Sequence, residues 1–181
     1  NKMIKKLKSE ILKKIFLSIF LALLIFSKSI ACEILNVPIG TPVNTAVETF
    51  DFLTKYNEES YEEGDAILYK EYANEFCEQG EFKNTELEIV IYSSKIAAIR
   101  LVSPIVDQSI EVYRFTKNFI KDPGDKMQNK NWKGYVDLSI GELNIWYGKL
   151  NKKGLPHEVL TITSNEMSNW ISGEHLIEDR M

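Results

Sequence analysis

The sequence predicts an α+β fold in which a helix followed by three strands occurs twice, with two helices packed on one face of antiparallel sheet. Two segments that open with Thr41-Pro42 and Ser103-Pro104 carry apolar residues at three- and four-residue steps, the spacing of a helix. Runs of alternating apolar residues, typical of strands, follow each segment. Hydrophobic residues make up 44% and charged residues 27% of the 181, which excludes collagen-like and wholly disordered chains.

The first predicted helix covers residues 42–56. Thr41 is a good N-cap, and Pro42 suits the first helical position because its missing N–H would have no partner there. A polar, acidic connection over 57–64 follows the helix. The apolar stripe of the predicted helix consists of Val43, Ala46, Val47, Phe50 and Leu53.

Three strands are predicted after this helix. The first covers 66–77 and ends in a turn at 78–81. The next two form a hairpin, in which alternating residues at 87–91 and an apolar run at 96–102 flank Ser93-Ser94-Lys95.

The second half repeats this order. Its helix is predicted over 104–121, stopped by Asp122-Pro123-Gly124. A helical turn around Met167 and a charged tail end the chain. The strands of the second half are predicted over 135–138, 143–147 and 159–163, with a lysine-rich loop over 148–154. We therefore expect one domain over 32–163, with 32–103 and 104–163 as possible subunits and 164–181 as a tail.

The element order over Ile39 to Val102 is similar to that of small helix-plus-hairpin modules of the cell envelope. Examples are the outer-membrane assembly small lipoproteins and the tandem-repeat β-lactamase inhibitory proteins. The similarity rests on element order and includes no diagnostic motif, so it implies no functional residue in this chain.

Residues 1–31 differ in kind from the rest of the chain. Six lysines precede Ile15–Phe26, a run of twelve residues without a charge, and small residues flank Ile30 in Ser29-Ile30-Ala31. A basic region, an apolar core and a small-residue cleavage site in this order are typical of a secretory signal. A membrane-spanning helix needs about 20 apolar residues, so this run is too short. We expect cleavage after Ala31 and export, with the periplasm as the destination.

The exported part is acidic. Residues 1–31 hold seven of the 22 basic and one of the 26 acidic residues, which leaves 15 against 25 and a net charge of −10. This balance argues against nucleic-acid binding, which depends on lysine and arginine, and favours a protein partner with a basic surface. Solvated strand faces and polar loops would produce the same charge. The candidate partner-binding residues are Glu58, Glu59, Glu62, Glu63 and Asp65, together with Trp146, since aromatic residues are enriched at interaction hot spots.

Cys32 and Cys77 are the two cysteines of the chain. In an oxidising compartment such a pair most simply forms one disulfide. The alternative is that Ser29-Ile30-Ala31-Cys32 resembles a degenerate bacterial lipoprotein cleavage box, in which the cysteine becomes the acylated first residue. That resemblance implies a membrane anchor at Cys32, and the sequence leaves both possibilities open.

The sequence contains no motif for a catalytic, cofactor or metal site. His157 and His175 are the only histidines, and neither has a partner at metal-ligand spacing. No serine lies in a G-x-S-x-G motif, and the segment 148–154 lacks the residue order of a phosphate-binding loop. An exported hydrolase that uses Glu62, Glu63 and His157 is the alternative from the enzyme class.

We therefore expect an exported, periplasmic, non-catalytic protein-binding or inhibitory module that needs no cofactor. It would recognise a basic protein surface through its acidic segment. The alternative within the non-enzyme class is an envelope lipoprotein, attached to the membrane through Cys32, that acts as an assembly scaffold.

Overall fold

One antiparallel sheet dominates the fold. In a computed structural model of the chain, the described residues are 32–57, 66–77, 82–106, 110–152 and 154–168, and they belong to one compact unit that begins at Cys32. Their six strands are β1 (Ala66–Tyr72), β2 (Glu86–Tyr92), β3 (Lys95–Pro104), β4 (Gly134–Asp137), β5 (Leu143–Lys152) and β6 (Leu155–Ser164). A few helices accompany the sheet, so the predicted α+β class is confirmed.

Short helices connect the strands. Within the described residues, the α-helices are α1 (Val43–Ala46) and α2 (Glu111–Phe119), and a helical turn at 165–168 follows β6. The 3₁₀ turns cover Glu33–Asn36, Asp51–Lys55, Ala73–Glu75 and Asp125–Gln128.

The strand order across the sheet is β1-β2-β3-β6-β5-β4. Strands β1 to β3 form one antiparallel meander and β4 to β6 form another. The third strands of the two meanders pair with each other from Ala98↔Thr163 to Pro104↔His157. The two meanders therefore meet at the β3–β6 seam in the middle of the sheet.

The main hydrophobic core lies on one face of this sheet, which we call the core face. Both α-helices pack there, because their buried residues belong to the same cluster as alternate residues of the central strands. Those strand residues are Leu87, Ile89, Ile91, Ile96, Ile99, Leu101, Ile145, Tyr147, Leu160 and Ile162.

A β-bulge in the first hairpin determines which residues reach the core face. Ile91 pairs with Ile96, whereas Val90 pairs with Ala98, so Ala97 is the extra residue. Without the bulge, Ile96 and Ile99 would point to opposite faces, since strand side chains alternate. The carbonyl oxygen of Ala97 accepts a hydrogen bond from Thr163 Oγ1 at 2.9 Å.

The predicted helix over 42–56 is wrong in its length. Helix α1 ends at Ala46, and a separate 3₁₀ turn begins at Asp51 after Phe50, whose backbone is not helical (φ −109°, ψ 79°). β-Branched residues at Val43, Thr45, Val47 and Thr49 lower the helix propensity of this stretch. Most of the predicted apolar stripe is nevertheless buried.

The predicted start of the second helix is also wrong. Ser103 and Pro104 are the last residues of β3, and α2 begins only at Glu111. They pair with Glu158 and His157 of β6, so the strand partner overrides the local helix signal. The first predicted strand, 66–77, is likewise shorter, because β1 ends at Tyr72.

The lysine-rich loop predicted over 148–154 is mostly strand. Strand β5 continues to Lys152, and β6 starts at Leu155. Gly148 pairs with Tyr135 of β4, and a Cβ added to it would come within 2.9 Å of the Gly134 carbonyl oxygen. Lys149, predicted in this loop, is almost completely buried, at 1% exposure. The cross-strand partners of this segment decide its structure.

The β2–β3 turn gives a test of backbone strain. Ser93 and Ser94 both have positive φ (48° and 59°), a conformation that asparagine and glycine adopt more readily. We expect Ser93→Asn to raise the free energy of unfolding by about 0.5–1 kcal/mol, because it relieves part of this strain. Ser94→Asn should raise the free energy of unfolding by less, because it also removes the Ser94 hydroxyl, which lies 3.1 Å from Tyr56 Oη. Urea unfolding of both variants measures the difference, and equal or negative shifts would contradict it.

Candidate functional site

The two cysteines form a disulfide, Cys32–Cys77, as one of the two sequence interpretations predicts. Both residues are buried, and the Glu33 N–H donates to the Phe76 carbonyl oxygen beside them at 2.9 Å. A sulfur atom in a disulfide cannot also carry a lipid thioether. The disulfide therefore leaves no free sulfur at Cys32 for a membrane anchor.

The predicted acidic binding residues are not in the part of the chain that the structure describes. Glu58, Glu59, Glu62, Glu63 and Asp65 lie outside the described residues, and His175 does as well.

Glu88 of β2 lies in the described part of the chain and is not available to a partner. It is fully buried on the face of the sheet opposite the core face. Its carboxylate lies 3.1 Å from Arg100 Nη1 and 2.5 Å from Lys70 Nζ, one residue on each neighbouring strand. This acidic residue therefore belongs to an ion-pair ladder that runs from the exposed Lys70 on β1 to the buried Arg100 on β3.

Trp146 lies on that same face, half-buried on β5 between Thr161 and Asp137 of the adjacent strands. Its neighbours Ile145 and Tyr147 point to the core face.

His157 has a local partner. Its Nδ1 lies 3.0 Å from the carbonyl oxygen of Leu155, two residues away. In the part of the chain that the structure describes, no group of three or more His, Cys, Asp or Glu side chains is placed to hold a metal ion.

A buried polar cluster lies between α2 and the sheet. The Glu158 carboxylate accepts hydrogen bonds from Tyr147 Oη at 2.6 Å and from the Val112 N–H at 3.2 Å. Ile110, the N-cap residue of α2, provides no side-chain acceptor. Glu158 of β6 therefore takes the place of a cap at the start of the helix, where a negative charge is favourable.

The ionisation of this cluster follows from its burial. Burial raises the pKa of the Glu158 carboxyl, although the Tyr147 hydrogen bond and the positive charge of Lys149 act in the opposite direction. Burial lowers the pKa of Lys149, opposed by the charge of Glu158. Lys149 Nζ donates to the Asn129 carbonyl oxygen at 3.2 Å. All three side chains are closed to solvent, which indicates a structural role.

A half-open apolar pocket on the core face is the best candidate site. Its volume is about 330 Å³, within the range of small-molecule pockets. The floor is formed by Ile99, Ile145 and Ile162, and the other lining residues are Ile34, Leu35, Val37, Pro38, Ile39, Phe119, Ile120, Ile140 and Leu143. None of these side chains is charged or carries a hydrogen-bonding group.

Three parts of the chain build this pocket around its floor. The segment 34–39 forms one wall, the end of α2 forms a second, and the turn before β5 forms the third. The floor residues lie on β3, β6 and β5, so the pocket lies over the seam between the two meanders.

The segment 34–39 is attached to the fold at both ends. The Cys32–Cys77 disulfide lies just before it. After it, the Gly40 N–H donates to the Ile96 carbonyl oxygen at 2.7 Å, and the Ile96 N–H donates to the Thr41 carbonyl oxygen at 2.8 Å. This wall is therefore held in place while its middle faces the pocket.

The sequence reasoning missed this pocket. A usable signal was present at Ile140-Gly141-Glu142-Leu143, where two large apolar residues flank a turn. Turns are usually polar, and both side chains are exposed, at 49% and 38%.

Comparison with protein-family models, with curated proteins and with solved structures finds no match to this chain. The described part of the chain contains no helix that is long and apolar enough to cross a membrane.

Proposed function

We propose that this protein is an exported, non-catalytic binding protein and that the apolar pocket is its binding site. The proposal rests on one observation. Nine large apolar side chains are exposed among the described residues, and four of them, Leu35, Phe119, Ile140 and Leu143, line this one pocket. Clustered exposed apolar side chains on a folded protein mark binding sites.

The charged groups near the core support binding over catalysis. Glu158 and Lys149 are closed to solvent beneath α2, and Glu88 is held by Arg100 and Lys70. A catalytic acid or base must reach its substrate, which these side chains cannot do without a large movement. The hydrolase alternative depends on His157 together with Glu62 and Glu63, and these two carboxylates lie outside the described residues.

Two features support export to an oxidising compartment such as the periplasm. A disulfide persists in such compartments and is rare in the cytosol. The order of charges and apolar residues over 1–31 is that of a cleaved secretory signal.

A twice-repeated unit is part of the proposal. Each half has a helix before a three-stranded meander, and the third strands of the halves pair at the centre. The floor residues Ile99 and Ile162 pair with each other across that seam. Duplication of one unit would thus create the pocket where the two copies meet.

A basic protein is the second candidate partner. The observation in its favour is the net charge of −10 after residue 31, concentrated around Glu58–Asp65. Such binding would weaken at high salt and would not need the pocket.

Pocket variants test the first proposal. The oxidised protein should bind the uncharged, polarity-sensitive dye Nile red with saturation. Leu143→Glu and Ile140→Glu should each weaken binding roughly tenfold or more, because a carboxylate in the pocket mouth must lose water when the dye enters. Fluorescence titration measures this.

Leu155→Glu is the matched control, because Leu155 is equally apolar and 62% exposed but does not line the pocket. It should bind the dye as the unchanged protein does. Equal affinity of all three variants would contradict the proposal. Capture of a basic protein that is lost at high salt and unaffected by the pocket variants would favour the second candidate.

A further inference from the structure

We infer that the natural occupant of the pocket is a single unbranched hydrocarbon chain, such as the tail of a fatty acid or of a lysophospholipid. This inference rests on the proposed function and names the ligand class for the same site.

The chemistry of the lining restricts the occupant. All twelve lining side chains are hydrocarbon, from Ile, Leu, Val, Pro and Phe. A peptide segment that entered the pocket would bury N–H and C=O groups, and no lining side chain could accept or donate a hydrogen bond to them. A polymethylene chain has no such groups, so it gives up no hydrogen bonds when it leaves water.

The shape of the pocket restricts it further. A volume of about 330 Å³ is near the lower limit for ligand pockets. It lies in a gap of the layer that covers the core face, between segment 34–39 and the end of α2. A flexible single chain can adapt its course to such a gap and fill it.

The mouth of the pocket suits an amphiphile. Leu35, Phe119, Ile140 and Leu143 are each between 38% and 49% exposed, so they are in contact with water while the floor residues are buried. A ligand with an apolar tail and a polar head would cover these side chains and keep its head in solvent.

Chain length is the decisive measurement. Saturated fatty acids from hexanoate to palmitate, the matching alcohols and a lysophosphatidylcholine series compete with Nile red for the oxidised protein. Affinity should rise about fourfold for each added methylene and level off once the chain fills the pocket. Acids and alcohols should follow the same slope because the tail supplies the binding energy, and the arm that binds most tightly identifies the source of the tail.

Ile140→Trp should shift the plateau to shorter chains, because a larger side chain at the mouth shortens the pocket. Its position is 49% exposed, so the variant should fold, and Leu155→Trp is the matched control. Affinity without chain-length dependence would overturn the inference, even where the pocket variants still abolish dye binding and the proposed function holds. If the pocket variants bind the dye as tightly as the unchanged protein does, both the inference and the proposed function are overturned.

Discussion

Glu158→Ala is expected to lower the free energy of unfolding by about 3–5 kcal/mol, the usual cost of removing one partner from a buried charged cluster. The change removes the acceptor of the Tyr147 hydroxyl and of the Val112 N–H. It also leaves Lys149, which is 1% exposed, without a nearby negative charge. Urea unfolding followed by circular dichroism measures the loss.

Two controls make this prediction specific. Glu142→Ala removes an exposed carboxylate near the start of β5 and should change stability by no more than about 0.5 kcal/mol. The double variant Glu158→Leu/Lys149→Met replaces both charges with apolar side chains and should lose less than Glu158→Ala, because no buried charge is left alone. A loss below about 1 kcal/mol for Glu158→Ala would show that α2 does not depend on this carboxylate.

The same carboxyl group gives stability a defined pH dependence. Because the folded-state pKa of Glu158 is raised, the folded protein holds this proton more tightly than the unfolded chain. Its contribution is therefore most favourable below the ordinary value of 4.5 and is lost as pH rises through the folded-state pKa. Glu158→Gln should remove this downward slope, and an unchanged slope would contradict the assignment.

Loss of the Cys32–Cys77 disulfide is expected to cost about 4 kcal/mol of stability. The bond joins residues separated by 45 positions, and chain-entropy estimates give this value for a loop of that length. Unfolding of the Cys32→Ser/Cys77→Ser variant, compared with the oxidised protein, measures the cost. The reduced unchanged protein is the control and should match the variant.

The disulfide should also affect the pocket. It lies immediately before the wall formed by 34–39, so its reduction should weaken Nile red binding as well as lower stability. An intact mass two hydrogens lighter than the reduced chain would accompany the oxidised state. An acyl group on Cys32, or equal unfolding midpoints with and without reductant, would contradict the prediction.

The strands of the first hairpin could be predicted from the sequence, but its bulge could not. Alternation at 87–91, the apolar run at 96–102 and the serine turn predicted β2 and β3 closely. The bulge at Ala97 was not predictable, because it depends on pairing with β2 and on the hydrogen bond from Thr163, 66 residues away.

The start of the second helix could not be predicted from the local sequence. Ser103-Pro104 has the local chemistry of a helix start, yet β6 pairs with these residues and extends β3 through them. The carboxylate that does bind the first turn of α2 comes from Glu158, 46 residues after Val112. No pattern near residue 111 indicates this partner.

The candidate sites also differ in how far the sequence could predict them. The disulfide was one of the two possibilities that the sequence left open for Cys32, and the structure shows it joined to Cys77. The apolar pocket could not be predicted, since its lining comes from three separate parts of the chain, around residues 36, 120 and 142, and from the strands beneath them.

The sequence by itself determined the α+β class, the first hairpin and the acidic charge after residue 31, and it limited any internal disulfide to Cys32 and Cys77. These properties depend on composition, on the number of cysteines and on patterns within a few residues. Only the tertiary structure decided where β3, β5 and α2 begin and end, that Lys149 and Glu158 are buried together, and that a pocket opens over the β3–β6 seam. Each of these depends on contacts between residues far apart in the chain, where burial and pairing with a distant strand outweigh local preference.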